Sequence, residues 1–536
     1  MKRKDKFSPL GWVLKIFKKF TLKTTLMCLS SIAVSLGYIA LAFVSKSILE
    51  TKDKNSIING AIILAVIIIL QVILSGVSAM LKTSVQGKFT IALRQYLFRI
   101  INSKKYSETQ KYHSGDILNR FTSDTEVIVS NTVSILPDIC SMLSKIIGGA
   151  AALIILEPTI AVIVIIFGAL IPAIGRLINK RYKYLHKECH RTEGETRSFL
   201  QECFENSVVI KTFKSEAPFN EKLSQYMQTN YRFKIRRTLV SVFSHLSLYS
   251  FFTIGYYAVL VWGAGAIADK AISYGTLIAF LQLVSQLRAP LQNISSIFPR
   301  YYAICASAER LAELENLANE PVCENNPLPD FSYLSGKDIT FAYNNKNVLE
   351  HFNFKIHNGT ITAITGSSGK GKSTLFKLIL GLYEPQNGKL TVNGQTIVNA
   401  ATRSLFAFVP QGNMILSGTI KENLTICNPN TTEEQLINAC KTAEIHDYIV
   451  SLPNGYDTPL NERGGGLSEG QIQRLSLARA LLADSPVLLL DESTSALDSD
   501  TELKVLQNIK GLKNKTVILV THRKTAIDFC DNIISI

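Results

Sequence analysis

Carboxylates are scarce in the first 320 residues of this 536-residue chain, where 38 Lys and Arg stand against 21 Asp and Glu; residues 321–536 hold 19 against 21. The basic half is also the apolar half. A nucleic-acid binder displays its cations on a soluble face, whereas these flank long apolar runs, so nucleic acid is excluded as a partner. The nine cysteines include no CxxC pair and no alternation with His at metal-ligand spacing, which excludes a zinc ribbon and fits a reduced, cytosol-facing protein. The opening stretch MKRKDKFSPLGWVLKIFKKF lacks an unbroken apolar core and a small-residue cleavage site. It reads as an amphipathic helix at the cytoplasmic interface, not a secretory signal.

What is present begins with apolar runs of bilayer length, at about 25–44, 57–81, 132–156, 159–178, 240–268 and 275–298. As a helix the second would be roughly 37 Å long, enough to cross a hydrocarbon core of about 30 Å with some tilt. The connections 82–118 and 176–237 are long and rich in Lys and Arg; the others, SKSILETKDKNS, the Glu157–Pro158 turn and ADKAIS, are short. The positive-inside rule then places both termini in the cytoplasm. The long connections read as helical extensions of the spans, broken once at HSGD (113–116) and once around ENSVVIKTF (205–213). Ionisable and amide side chains are expensive inside a membrane and usually face a cavity, which makes Lys145, Gln282, Gln286 and Arg288 candidates for a transport path.

Residues 1–320 thus form an all-α membrane domain of six spans, 321–330 (PVCENNPLPD) a linker, and 331–536 a domain in which strand-like and helical patterns alternate. Length alone calls for more than one core. In the second domain GSSGKGKST at 366–374 lies between the apolar strand TITAIT and the helix TLFKLILGL. The spacing of Gly366, Gly371, Lys372 and Ser373, with Ser367, Ser368, Gly369, Lys370 and Thr374 completing the turn, is that of a P-loop. Its backbone N–H groups curl around phosphates, Lys372 reaches the β and γ oxygens, and the Ser373 hydroxyl takes Mg2+. PVLLLDE at 486–492 reads as a buried parallel strand ending in two carboxylates: Asp491 for Mg2+, and Glu492 as general base toward the attacking water. His522 ends the strand VILVTHR, where a donor can sense the γ-phosphate.

With these motifs in this order, the chain resembles an ATP-binding cassette (ABC) half-transporter of the exporter type. That resemblance covers nearly the whole sequence. It implies a six-helix membrane domain followed by an α/β P-loop ATPase domain, with ATP and Mg2+ as cofactors. It further implies that Gln411 in FVPQGN is the Q-loop residue touching nucleotide and Mg2+, that Tyr343 stacks on adenine, and that GDILNRFTSD and FLQECFENSVVIKTFKSE carry the coupling helices. NERGG at 461–465 resembles the exporter loop that touches those helices. Leu467, Ser468, Gly470 and Gln471 of LSEGQ form the signature, which in this family caps the γ-phosphate held by the partner chain. Asp498 ends the D-loop at 495–498, which runs between the two chains. The working unit implied is a dimer, a homodimer or a heterodimer, in a bacterial plasma membrane with the ATPase domain in the cytoplasm.

Three positions depart from the family pattern. Glu469 replaces the usual Gly of the signature, Lys370 adds a cation inside the P-loop, and Ile536 falls at a strand short of the usual C-terminal strand and helices. The transported substance is open among small molecule, lipid and peptide. Two alternatives to export keep the same motifs: import of a metal-chelate siderophore, and a nucleotide-gated channel or regulator, which could dispense with Glu492.

Overall fold

The computed structural model describes residues 8–321, 329–343, 346–367, 369–412, 415–461, 464–512 and 515–536. Most of the expected linker, and Ser368 of the P-loop, lie outside these residues. The first helices are α1 (Pro9–Phe17), α2 (Thr21–Glu50), α3 (Lys54–Asn102), α4 (Tyr106–Thr109), α5 (Ser114–Asn119) and α6 (Thr125–Leu156). Then come α7 (Pro158–Glu205), α8 (Ser207–Thr212), α9 (Glu216–Ala268), α10 (Tyr274–Asn293) and α11 (Ile297–Glu315). The chain divides into two compact units, one of Met1–Ile101 with Ser114–Asn316, the other of Asn102–His113 with Leu317–Ile536.

In the first unit the long connections are helical, as expected: α3 has 49 residues, α7 48 and α9 53. At 1.5 Å per residue, α9 runs about 80 Å, far beyond a bilayer core. Among the described residues, four stretches are long and apolar enough to cross a membrane: Pro9–Glu50, Lys54–Asn102, Ser114–Leu156 and Glu216–Ala268. Helices α7 and α10 run through the fourth and sixth expected spans. Between α6 and α7 the turn is as tight as the sequence requires, with Glu157 extended and Pro158 opening the next helix, where its missing N–H costs nothing.

Helix α3 shows how one segment serves two solvents. Along its first half Ile62, Val66, Ile69 and Ile73 are exposed, while Gln71 is buried and donates to the Val34 carbonyl of α2 at 3.2 Å. Along its second half Val85, Phe89, Leu93 and Leu97, each four residues after the last, are fully buried against Phe17, Ile128, Val129 and Leu311. A lipid-facing stretch therefore continues into a packed helical core.

That core ends in a polar network. Between α5 and α6 a single π-turn, Arg120–Asp124, buries both its charged ends. Asp124 accepts from Ser307 Oγ and Arg310 Nε of α11, both at 2.9 Å, and Arg120 pairs with Asp116 and Glu313 at 3.0 Å while donating to the Arg310 carbonyl. Asp124 and its neighbours hold Arg310 above the usual guanidinium range.

In the second unit the strands are β1 (Tyr333–Tyr343), β2 (Lys346–His357), β3 (Ile361–Thr365), β4 (Asn387–Val392), β5 (Thr396–Ile397) and β6 (Phe406–Val409). They are followed by β7 (Gly418–Thr419), β8 (Pro459–Leu460), β9 (Val487–Asp491), β10 (Thr516–Val520) and β11 (Asn532–Ser535). Five pair in parallel in the order β11-β3-β10-β9-β6, and a second, antiparallel sheet runs β2-β1-β4-β5. Every residue of β9 and β10 is buried, which is why these segments read as unbroken apolar runs. The helices are α12 (Lys372–Ile379), α13 (Ile420–Thr425), α14 (Glu433–Thr442), α15 (His446–Ser451), α16 (Glu469–Leu482), α17 (Ser499–Lys510) and α18 (Lys524–Phe529).

Asn102–His113 belongs to this second unit although membrane helices flank it in sequence. Lys104 Nζ donates to the Leu317 carbonyl and Asn319 Oδ1, Lys105 Nζ pairs with Glu384 at 2.8 Å, and the Tyr106 ring stands edge-on to Tyr383 at 5.8 Å. These contacts precede GDILNRFTSD, whose charged residues serve the helical unit instead.

Removing the carboxylate in Asp124→Ala leaves Ser307 and Arg310 without their acceptor, and should cost roughly 1–3 kcal/mol of stability. Thermal unfolding of the detergent-solubilised chain measures it; an unchanged midpoint would show that the network is not structural.

Candidate functional site

Four neighbouring parallel strands end on the same side of the sheet, as all parallel strands must, and each delivers one expected group. β3 runs into the P-loop, β10 into Thr521 and His522, β9 into Asp491 and Glu492, and β6 into Pro410 and Gln411. The register fixes their level: Val520 lies opposite both Ile364 and Asp491, and Val409 opposite Leu490.

In the P-loop, Gly371 has φ +96°, and a Cβ there would stand 2.6 Å from Val348 Cγ1; only glycine satisfies both the backbone and the space. Gly366 and Gly369 also take positive φ. Ser367 and Lys370 are exposed, and the Lys370 amide donates to the Ser367 carbonyl at 3.3 Å. Lys372, the first residue of α12, is buried with Thr374, and its ammonium donates to the Gly366 and Ser367 carbonyls at 2.9 and 3.2 Å. The cation is thus folded over the loop that it is expected to serve.

Asp491 is 3% exposed, and burial lifts its carboxyl above the usual range despite a hydrogen bond from Ser373 and the nearby Lys372 charge. Its Oδ1 is buried without a hydrogen-bond partner. A hydroxyl beside a carboxylate with one orphaned oxygen is a donor set that suits a hard divalent cation.

Glu492 follows at φ +49°, a left-handed conformation that a non-glycine residue adopts at some cost. Its N–H still donates to the Val520 carbonyl at 3.1 Å, the last rung of the β9–β10 ladder. At its carboxylate Gln411 Nε2 donates to Oε2 at 2.6 Å, and His522 Nε2 lies 3.4 Å from Oε1. Three residues spread over 112 positions of sequence, 411 to 522, meet at one carboxylate.

The signature caps its own helix. Ser468 Oγ accepts from the Gln471 amide and Gln471 Oε1 accepts from the Ser468 amide, a capping box at the start of α16. Leu467 is half-buried, Ser468 and Glu469 are exposed, and a Cβ on Gly470 would stand 3.0 Å from the Ala496 carbonyl oxygen. Asp498 caps α17 by accepting from the Thr501 amide at 3.0 Å; that bond holds its carboxyl below the usual range.

Sequence reasoning missed three residues that position these loops. Gln473 of α16 accepts from the Ala496 amide at 3.1 Å and donates to Ser495 Oγ, tying the signature helix to the D-loop. Arg523, directly after His522, donates to the Ser495 and Leu497 carbonyls at 2.6 Å and pairs with Glu502 at 3.0 Å. Glu502 is fully buried and also accepts from Thr494 at 2.6 Å. The only sequence signal was a Glu at helical spacing from Val505, Leu506 and Ile509, on the apolar face of α17.

Tyr343 stands in an aromatic cluster, its ring edge-on to Phe341 and Tyr383 at 4.9 and 5.4 Å. Within the helical unit, Lys145 and Gln286 meet at Tyr38: the ammonium lies 5.4 Å from its ring centroid, and Gln286 Nε2 donates to its carbonyl at 3.1 Å. Arg288 lies instead over the Tyr249 ring at 4.2 Å, and the Gln282 carbonyl accepts from Ser285.

Comparison with known proteins agrees with this geometry. The family described as ABC transporter transmembrane region matches residues 24–291, and the family described as ABC transporter matches 349–495. A probable ABC transporter ATP-binding/permease protein of Haemophilus influenzae is 28% identical, over 100% of this chain and 99% of that protein. ABC transporter B family member 1 of Dictyostelium discoideum is 29% identical over 92% of this chain, which spans 56% of that protein's length. The solved structure of a bacterial Atm1-family ABC exporter with ATP bound aligns with a TM-score of 0.79 at 20% identity, covering 97% of this chain and 93% of that one, a likeness of fold. An apolar helical unit and a P-loop unit in which Gln411, Glu492 and His522 meet accord with these matches: the chain belongs to the ABC transporters, as a half-transporter of exporter type that couples ATP hydrolysis to transport.

Proposed function

We propose that two such chains form one exporter with two shared ATP sites, each built from the P-loop of one chain and the signature of the other. The observation that carries this reading is the division of labour at Glu492 and Ser468. The first is gripped by Gln411 and His522 of its own chain, whereas the exposed Ser468 stands at the head of α16 among hydrogen bonds that close on its own helix start. A helix N-terminus with exposed hydroxyl and amide donors suits a phosphate brought by a second chain.

In this reading the P-loop amides and Lys372 hold the phosphates, and Tyr343 packs against adenine. Ser373, Gln411 and Asp491 hold Mg2+, which when bound screens phosphate charge; the orphaned Asp491 oxygen supports that assignment. Glu492 takes the proton of the attacking water and His522 donates to the γ-phosphate. Asp498 lies where the two chains meet. Both termini and the P-loop unit face the cytoplasm of a bacterial cell, following the charge asymmetry of the connections. The helical unit crosses the plasma membrane and lines the path of the exported substance.

Glu492→Gln keeps the shape and removes the base, so steady-state hydrolysis should fall by about 10²–10⁴-fold while ATP still binds. Parental turnover in this variant would remove Glu492 from the base's role.

Lys372→Ala should fail earlier, with ATP affinity weakened at least about tenfold, because the ammonium compensates phosphate charge in the ground state too. Equilibrium nucleotide binding checks it, and unchanged affinity would count against this P-loop assignment.

The shared site has its own test. In doubly tagged dimers of one Ser468→Arg chain and one Lys372→Ala chain, both lesions fall on one site and the other is intact. Such dimers should hydrolyse ATP, or at least close the intact site as ATP-dependent crosslinking reports, while each mutant homodimer stays near background. Mixed dimers as dead as the homodimers in both measurements would refute the sharing.

A further inference from the structure

Two of the positions that depart from the family pattern carry opposite charges, Lys370 in the P-loop and Glu469 in the signature. Both residues are exposed. Lys370 stands between Gly369 at φ +83° and Gly371 at φ +96°, in the turn that its own amide closes on the Ser367 carbonyl. Lys372, two residues on, is the buried cation folded over the loop. Glu469 is the first residue of α16, between Ser468 and Gly470.

Among the described residues neither charge enters an ion pair. No Asp or Glu occurs from 351 to 383, so the stretch around Lys370 carries no carboxylate. The first cation along α16 is Arg474, and it donates to the Gly470 and Glu444 carbonyls. The polar groups beside Glu469 are committed as well: Ser468 and Gln471 to each other, Gln473 to Ser495 and Ala496.

A lone carboxylate here works against the task proposed for the signature. The amides and dipole at the start of α16 favour an anion, and Glu469 already supplies one. A phosphate brought to Ser468 and Gly470 would meet a like charge one residue away, where Cα atoms are only about 3.8 Å apart. That repulsion is relieved when a cation arrives together with the phosphate. Lys370 meets the requirement: it belongs to the loop expected to hold the phosphates, and it is exposed where Lys372 is buried.

We propose that Lys370 of one copy pairs with Glu469 of a second copy of this chain, so that P-loop and signature are matched to each other by charge. The pair rests on the shared-site reading and deepens it, because it names the partner as an identical chain. Two copies related by a twofold axis make the pair twice, once at each site. A different chain with the usual Gly in its signature would leave Lys370 without its carboxylate.

The half-saturating ATP concentration for hydrolysis, measured on the full chain in lipid nanodiscs, gives the first test. Lys370→Gln leaves Glu469 facing the phosphate alone and should raise that concentration about threefold or more. In a Glu469→Gln background the same change should shift it less than about 1.5-fold, since the charge it balanced is gone. An equal loss in both backgrounds would assign Lys370 to its own chain's phosphates and overturn the pair. Proximity gives the second test. Doubly tagged dimers of one Lys370→Cys chain and one Glu469→Cys chain hold both thiols at one site, and a short bismaleimide should link them when ATP is present. Homodimers of either variant bring no such pair together and report any linkage through the native cysteines. No linkage beyond those controls overturns the proposal, as does failure of differently tagged copies to copurify. If both tests fail while mixed Ser468→Arg and Lys372→Ala dimers still hydrolyse ATP, the shared site stands and this pair alone is lost.

Discussion

The geometry of the candidate site turns on the backbone at the end of β9. Glu492 takes φ +49° directly after the strand, and beyond that turn its carboxylate meets Gln411 and His522. The parallel register supplies the rest, since β10, β9 and β6 end level and bring the loops that follow them side by side. A residue in strained conformation persists because its surroundings over-determine it. Here the surroundings are two fully buried strands and the Arg523 and Glu502 brace below the adjoining loop.

The P-loop, the paired carboxylates and His522 were legible in the sequence for a physical reason. Each directly follows or ends an apolar strand whose burial is visible as an unbroken run. The braces were not legible. Gln473 with Ser495, Arg523 with Glu502, and Asp124 with Arg310 are pairings across 20 to 190 positions, made by residue types that are elsewhere solvated; nothing in their spacing distinguishes them. The membrane half shows the same divide. Its spans and helical extensions follow from hydropathy, but the two breaks in those extensions did not reveal which residues join the P-loop unit. Those are Lys104, Lys105 and Tyr106, just before the expected segment, and they do so through an aromatic and a carboxylate, Tyr383 and Glu384, that themselves look like surface residues.

Polar residues of the spans fared in between. Lys145 was visible as an intramembrane charge, but its place over the Tyr38 ring of α2 is a fact of three dimensions. Gln71 and Gln286 each donate to a backbone carbonyl of α2, at Val34 and Tyr38, and so serve helix packing. Arg288 covers a tyrosine face. One sequence class, polar in an apolar run, resolves into three different physical roles.

The division of the chain has a consequence for dissecting it. The backbone passes between the two units after Ile101, again after His113, and a third time after Asn316. The second unit is therefore not a continuous stretch of sequence: a fragment beginning at Leu317 would leave Lys104, Lys105 and Tyr106 behind, and Asn319, Glu384 and Tyr383 would lose the groups they hold.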